Sequence, residues 1–175
     1  MRVVNVHQRL LHAQPGQAGA LIDALASPAD QLWRGKAWPR MAFDRPLGVG
    51  AVGGHGPIRY TVIDYAPGQS IRFGFTAPRG LNGWHGLDIL DATAAHCVLE
   101  HRVEMTLHGA ARLSWPLVYR PLHDALIEDG LAAAQAALGN TPHVVPWSPW
   151  VRLLRRLLTR TPRPQVHFKE PADAR

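Results

Sequence analysis

Four consecutive strand-like segments constrain the fold of this 175-residue chain more than any other feature. They cover residues 58–65, 70–76, 82–90 and 95–108. Each segment is rich in β-branched, aromatic or alternating apolar residues, and Pro-Gly and glycine signals stand in the breaks between them, where a reversing chain favours these residues. Because parallel neighbours need a connection of about a dozen residues, breaks this short predict an antiparallel meander.

Helical patterns precede and follow these strands. After a first strand over residues 3–12, residues 18–26 show apolar side chains at helical spacing. Ser27 followed by proline predicts the start of a second short helix, which runs through Trp33. A long alanine-rich helix is predicted over residues 113–138, with two prolines in its first part that separate or kink its first turns.

A glycine-dense stretch, residues 46–57, matches the G-x-G-x-x-G spacing of dinucleotide-binding loops. That motif must follow a buried strand and open a helix, because the helix N-terminus holds the phosphates. Here Gly54, Gly56 and Pro57 follow at once and a strand comes next. We therefore interpret the stretch as a hairpin or a bulged strand pair.

Charge divides the chain into two parts. Residues 1–140 hold 12 Lys and Arg against 11 Asp and Glu, whereas residues 141–175 hold seven basic residues against two acidic ones. We therefore predict a nearly neutral domain over 1–140 and a basic tail over 141–175, and no nucleic-acid partner, since such domains carry basic charge on the body. A single cysteine, no signal-peptide pattern and no apolar run long enough to span a membrane favour a cytoplasmic protein.

The tail contains an amphipathic pattern over about residues 147–160. Tryptophans and leucines recur at helical spacing, and arginines occupy much of the opposite face. Its apolar stripe predicts docking on the body or on a second subunit as a homodimer, and leaves open a weak contact with an anionic membrane. The residues that would make that contact are Trp147, Trp150, Arg152, Arg155 and Arg156.

The order strand, short helices, strands and long helix resembles the START-like (Bet v 1-like) superfamily, and most of all its bacterial SRPBCC or polyketide cyclase/dehydrase-like members. The resemblance rests on residues 53–60, on Gly83-Trp84-His85, and on residues 115–117 and 120–126. It implies an α+β helix-grip fold: a curved antiparallel sheet wrapped around the long helix, with two short helices closing one end and an internal apolar cavity. It is specific for fold and poor for function, because the superfamily hosts carriers, receptors and enzymes.

Strand alternation predicts which side chains face such a cavity. On residues 95–108 the odd positions are apolar except His101, and on residues 82–90 the inner set includes His85. The predicted lining is Phe73, Phe75, His85, Leu87, Ile89, Leu99, His101, Val103 and Met105. Apolar lining with a few polar anchors is typical of small-molecule sites.

Three functions are compatible with these patterns. The leading one is binding of a small hydrophobic molecule that is lipid-like, aromatic or polyketide-like. The second is a cyclase or dehydratase that uses His85 or His101 for acid–base catalysis, and the third is an interaction or membrane-peripheral module that acts through the basic tail. We predict no cofactor and no metal site, since the ten histidines lack H-x-H, H-x-x-H and HExxH spacing. His85 and His101, on separate strands, could bind zinc only with a third ligand such as His123 or Asp129 from the long helix.

Overall fold

A computed structural model of the chain describes residues 1–33 and 37–160, and the strands within them form one antiparallel sheet of seven strands. The strands are β1 (Arg2–Leu11), β2 (Ala42–Phe43), β3 (Val52–His55), β4 (Ile58–Ala66), β5 (Ser70–Ala77), β6 (Leu81–Leu90) and β7 (Cys97–Leu107). Their spatial order is β1-β7-β6-β5-β4-β3-β2. Strands β4 to β7 form the predicted meander. Strands β3 and β2 extend the sheet beyond β4, and β1 forms its other edge by pairing with β7.

Alternation along the strands sets the core, as the sequence pattern predicts. In β7 the odd positions are buried from Cys97 to Leu107. Cys97 and Leu99 belong to a hydrophobic cluster with residues of α1 (Pro15–Asp23) and of the long helix α3 (Arg120–Ala137). Val103, Met105 and Leu107 belong to a second cluster with Ala111 and Trp115, which precede α3 in the chain. The sheet thus curves around α3, which is the helix-grip arrangement.

The long helix is broken near its start at the prolines. A short α2 (Ala111–Ser114) and one π-helical turn (Trp115–Tyr119) precede α3. Proline lacks the amide hydrogen that a regular helix needs at those positions, so the change of helix type follows from Pro116 and Pro121. Gly139, with a φ of 72°, ends the helical segment.

The prediction of a second short helix through Trp33 is wrong. Residues 27–33 form turns and bends. The buried carboxylate of Asp30 accepts hydrogen bonds from the backbone amides of Ala26, Leu32 and Trp33. Because an aspartate that binds nearby amides competes with the helical pattern, this segment forms a folded loop, and its Leu32 and Trp33 join the hydrophobic core.

The tail helix α4 (Pro149–Arg160) packs against α3. Val151 and Leu154 of α4 are buried. Just before α4, the indole of Trp147 donates to Asp129 of α3 over 3.0 Å, and the indole of Trp38 donates to the same carboxylate over 2.7 Å. Among the described residues, no helix combines the length and the hydropathy needed to cross a membrane.

Candidate functional site

The nine residues predicted to line a cavity all lie on the inner side of the sheet. Seven of them are buried, and Phe75 and Ile89 are partly buried against the same two clusters. The buried residues are Phe73, His85, Leu87, Leu99, His101, Val103 and Met105. Alternation therefore places each of them on the correct face; their role in binding stays a prediction.

Aromatic rings enclose His85. The rings of Phe73 and Phe75 stack on the imidazole with centroid distances of 5.0 Å on each contact, and Tyr60 meets it edge-on at 4.9 Å. The hydroxyl of Tyr60 lies 3.0 Å from Nδ1 of His55. The imidazole of His85 is thus held in place by ring contacts.

Histidine rings continue from this point across the interior toward the rim of the sheet. We name the set His85, His101, His123 and His7 the histidine row. Neighbouring ring centroids are 5.6 Å, 5.0 Å and 6.0 Å apart. The row connects a buried apolar region at β6 with a polar region between β1 and α3.

Strand alternation in the sequence identifies only two members of this row as inward residues. His7 lies directly opposite His101 in the pairing of β1 with β7, so both share one face of the sheet. That register is the signal that could have found His7. His123 reaches the row from α3, and no local pattern shows which helix face meets the strands.

Burial lowers the pKa of His85 and of His101 well below the usual value, because the interior cannot solvate a charged imidazole. Burial likewise lowers the pKa of His55 to about 4. At the rim the direction reverses: a hydrogen bond to Asp124 is the largest cause that raises the pKa of His7. At neutral pH the interior imidazoles are therefore neutral, and each offers one donor and one acceptor nitrogen.

Three of these imidazoles have a buried nitrogen without a hydrogen-bond partner among the described residues. The atoms are Nε2 of His85, Nδ1 of His101 and Nε2 of His123. A buried polar atom left unpaired costs about 1–3 kcal/mol, so folded proteins hold few of them. These nitrogens are therefore candidate sites for a hydrogen bond to a bound molecule.

A polar cluster joins β1 to α3 at the rim. Oδ1 of Asp124 lies 3.2 Å from Nε2 of His7 and 3.2 Å from Nδ1 of His123. Nδ1 of His7 lies 2.8 Å from Oε1 of Glu128, which also pairs with Arg9. His7, His123 and Asp124 are the residues of the described chain whose ligand atoms converge closely enough to hold a metal ion.

The sequence pattern points to a different set of candidate ligands. Asp129 does not belong to the convergent group. Its Oδ2 accepts hydrogen bonds from the indoles of Trp38 and Trp147 instead. The ring of His123 lies 5.0 Å from that of His101, and its Nδ1 contacts Asp124. The convergent group includes His7, which the spacing of histidines along the chain could not indicate.

No protein-family model and no curated protein matches the sequence. Solved structures do resemble the fold. Norcoclaurine synthase from Thalictrum flavum in complex with dopamine and hydroxybenzaldehyde has a TM-score of 0.58 at 14% identity, over 82% of this chain and 90% of that one. A point mutant of that enzyme with a transition-state analogue gives 0.60 at 16% identity, over 79% and 96% of the two chains.

A protein from Thermobifida fusca has a TM-score of 0.58 at 11% identity and covers 81% of this chain and 99% of that one. Identities this low carry information about fold alone. They confirm the helix-grip, Bet v 1-like fold that the sequence predicts. Function must be argued from the site itself.

Proposed function

We propose that the protein binds a small hydrophobic molecule, lipid-like, aromatic or polyketide-like, between the sheet and α3, with His85 and His101 as its polar anchors. The observation that carries this proposal is the pair of buried, unpartnered nitrogens on these two imidazoles. A ligand hydroxyl or carbonyl group that met them would remove a desolvation cost that the free protein carries.

The surroundings of the two histidines support an apolar ligand. The nine side chains of the predicted lining are aromatic or aliphatic apart from the two imidazoles. Sites for small molecules combine such lining with a few polar groups that fix orientation. Norcoclaurine synthase, an enzyme with the same fold, holds dopamine and hydroxybenzaldehyde in its structure, so this fold accommodates aromatic molecules.

The test separates recognition from packing at His101. A fluorescent apolar dye, 1-anilinonaphthalene-8-sulfonate, is titrated into the protein and displaced with fatty acids and with hydroxylated aromatic compounds. The substitution His101→Leu should weaken displacement by the hydroxylated compounds about tenfold, the equivalent of one lost hydrogen bond, and leave the purely aliphatic ones unchanged. His108→Leu, at an exposed histidine beyond the same strand, is the matched control.

Stability decides between the two roles. If His101 served packing, its substitution would lower the free energy of unfolding of the protein by about 1–3 kcal/mol, because the hydrogen-bond partner of the histidine would be left unpaired. Nδ1 of His101 has no partner in the free protein, so its removal leaves no group unpaired at that position. Unchanged dye displacement together with a loss of that size would refute the proposal. Native mass spectrometry of gently purified protein gives a second check, as a co-purifying small molecule is expected.

A second candidate is an acid–base enzyme of the cyclase or dehydratase type on the same site. It is favoured by the depth of both imidazoles and by their centroid distance of 5.6 Å, which lets two groups act on one ligand. General acid–base work needs one group to accept a proton and one to donate it. Co-purified ligand that converts to a new mass in the wild type but persists in His85→Asn and His101→Asn would support this role; persistence in all three would exclude it.

The tail supports a third role, contact with an anionic membrane or a second copy. Packing on α3 leaves Leu153 46%, Leu157 55% and Leu158 55% exposed, and Arg152 and Arg156 are exposed beside them. Sedimentation with phosphatidylserine vesicles should be strong at low salt and weak at high salt, and Leu153→Asp should abolish it. Equal sedimentation with neutral vesicles would count against a specific contact with an anionic membrane, and a dimer that the same variant dissociates would favour the second copy.

A further inference from the structure

We infer that His7, His123 and Asp124 form a binding site for one divalent transition-metal ion of the zinc type. These three residues join β1 to α3 at the rim of the interior. The inference is independent of ligand binding in the interior, since it concerns other side chains and a different chemical class of ligand.

The inference rests on the short distances between the candidate ligand atoms of His7, His123 and Asp124. Zinc takes nitrogen and oxygen ligands at about 2.0–2.2 Å in tetrahedral geometry, so neighbouring ligand atoms lie about 3.3 Å apart. Oδ1 of Asp124 lies 3.2 Å from Nε2 of His7 and 3.2 Å from Nδ1 of His123. One ligand atom from each of the three residues lies within 4.8 Å of the other two. An ion between them needs only small side-chain rotations.

Glu128 supplies the outer support that histidine ligands need. Its Oε1 lies 2.8 Å from Nδ1 of His7, and its other oxygen pairs with Arg9. A carboxylate that accepts the Nδ1 proton leaves Nε2 of the ring free to coordinate a metal and fixes the orientation of the ring. Buried Asn5 donates in the same way to Oδ1 of Asp124 over 3.1 Å, which holds the third ligand in place.

If hydrogen bonds alone hold this cluster together, several donor hydrogens must meet at one carboxylate oxygen. Both nitrogens of His7 face carboxylate oxygens, and His123 directs Nδ1 at the same oxygen of Asp124. Three donors then converge on that one oxygen, with Asn5 as the third. A metal ion would replace the two ring hydrogens there with a single positive centre, which suits two imidazoles and one carboxylate equally well.

The site is partly open to solvent. The side chain of Asp124 is 33% exposed, whereas those of His7 and His123 are 14% and 17% exposed. Three protein ligands with a solvent-facing side are typical of sites in which water takes the fourth position. Nitrogen and oxygen donors without sulfur favour zinc and its transition-metal neighbours over calcium or magnesium.

Isothermal titration with ZnCl₂ tests the inference. Untagged full-length protein is stripped with a chelator and dialysed before titration. We expect one equivalent to bind with a dissociation constant in the micromolar range or tighter. His7→Gln and Asp124→Asn should weaken binding at least tenfold, and Glu128→Gln should weaken it about tenfold through loss of the outer support. His108→Gln, at an exposed histidine away from the cluster, should bind as the wild type does.

Cobalt gives a readout that adventitious histidine binding does not share. Co²⁺ at one equivalent should produce the intense visible absorption of a tetrahedral site, and Asp124→Asn should remove it. Circular dichroism verifies that each variant folds; should His7→Gln fail to fold, the nearly isosteric Asp124→Asn decides alone. The inference is overturned if zinc does not saturate at one equivalent, or if the affinity of Asp124→Asn equals that of the wild type.

Discussion

Replacing His85 with phenylalanine should change how stability depends on pH. In the folded chain, burial lowers the pKa of His85 well below the value of about 6.5 that an unfolded chain has. The unfolded state therefore binds the proton more tightly. The stability that neutral His85 contributes is complete above pH 6.5 and is lost as the pH falls below it.

The size of the effect follows from proton linkage. At pH 5 an unfolded histidine is almost fully protonated, which favours the unfolded state by about 2 kcal/mol relative to pH 7 if folded His85 stays neutral. Phe73, Phe75 and Tyr60 pack directly on this ring and keep water away. His101, whose imidazole is in ring contact with that of His85, is buried as well.

At pH 7 the variant His85→Phe should lie within about 1–2 kcal/mol of the wild type. It removes an unpaired nitrogen, which stabilises, and adds one ring atom to a packed region, which destabilises. Between pH 7 and pH 5 it should then gain up to about 2 kcal/mol over the wild type, or roughly 4–8 °C in melting temperature.

Urea unfolding followed by circular dichroism at pH 7, 6 and 5 measures this difference directly. His108→Phe is the control, because that side chain is exposed and should leave the pH dependence as in the wild type. A constant difference between His85→Phe and the wild type at all three pH values would refute the reasoning, since folded His85 would then titrate as the unfolded residue does.

Two further predictions concern the helices that hold the site. Gly19→Ala should lower the free energy of unfolding by about 1–3 kcal/mol or more, because the added Cβ would overlap the backbone oxygen of Gly68 in the facing β4–β5 turn. Gly16→Ala in the same helix is the control: its Cβ would meet nothing within 4 Å, so urea unfolding should be unchanged. Equal effects of the two substitutions would contradict the close approach at Gly19. Asp129→Ala should lower stability by about 1–3 kcal/mol and alter tryptophan fluorescence, because the indoles of Trp38 and Trp147 lose their shared acceptor. An unchanged emission spectrum would show that these indoles do not depend on Asp129.

Much of the sheet could be predicted because its signals are local. Turn residues separate the strands, and a side-chain period of two assigns each inward face once a strand is recognised. This alternation is enough to assign His85 and His101 to otherwise apolar faces. The loop over residues 27–33 could not be predicted in this way. There the buried carboxylate of Asp30 accepts hydrogen bonds from three backbone amides, and these bonds replace the helix that Ser27 and the following proline predict.

The histidine row and the rim cluster depend on contacts between segments far apart in sequence. His7 and Asp124 are separated by 117 positions. Neither residue carries a motif, and the spacing of histidines along the chain argues against a metal site. Only the pairing of β1 with β7 and the packing of α3 across β1 bring the ligand atoms together.

Strand β1 shows most directly what the sequence determined and what the tertiary structure decided. Its alternation by itself establishes that Val4, Val6 and Leu10 share one face, while His7 and Arg9 share the other. Apolar burial would turn the first face inward, yet these three side chains are 51%, 40% and 46% exposed. The polar face turns inward instead, because α3 presents carboxylates to His7 and Arg9 there, and a charged pair formed across two elements exists only after both have folded.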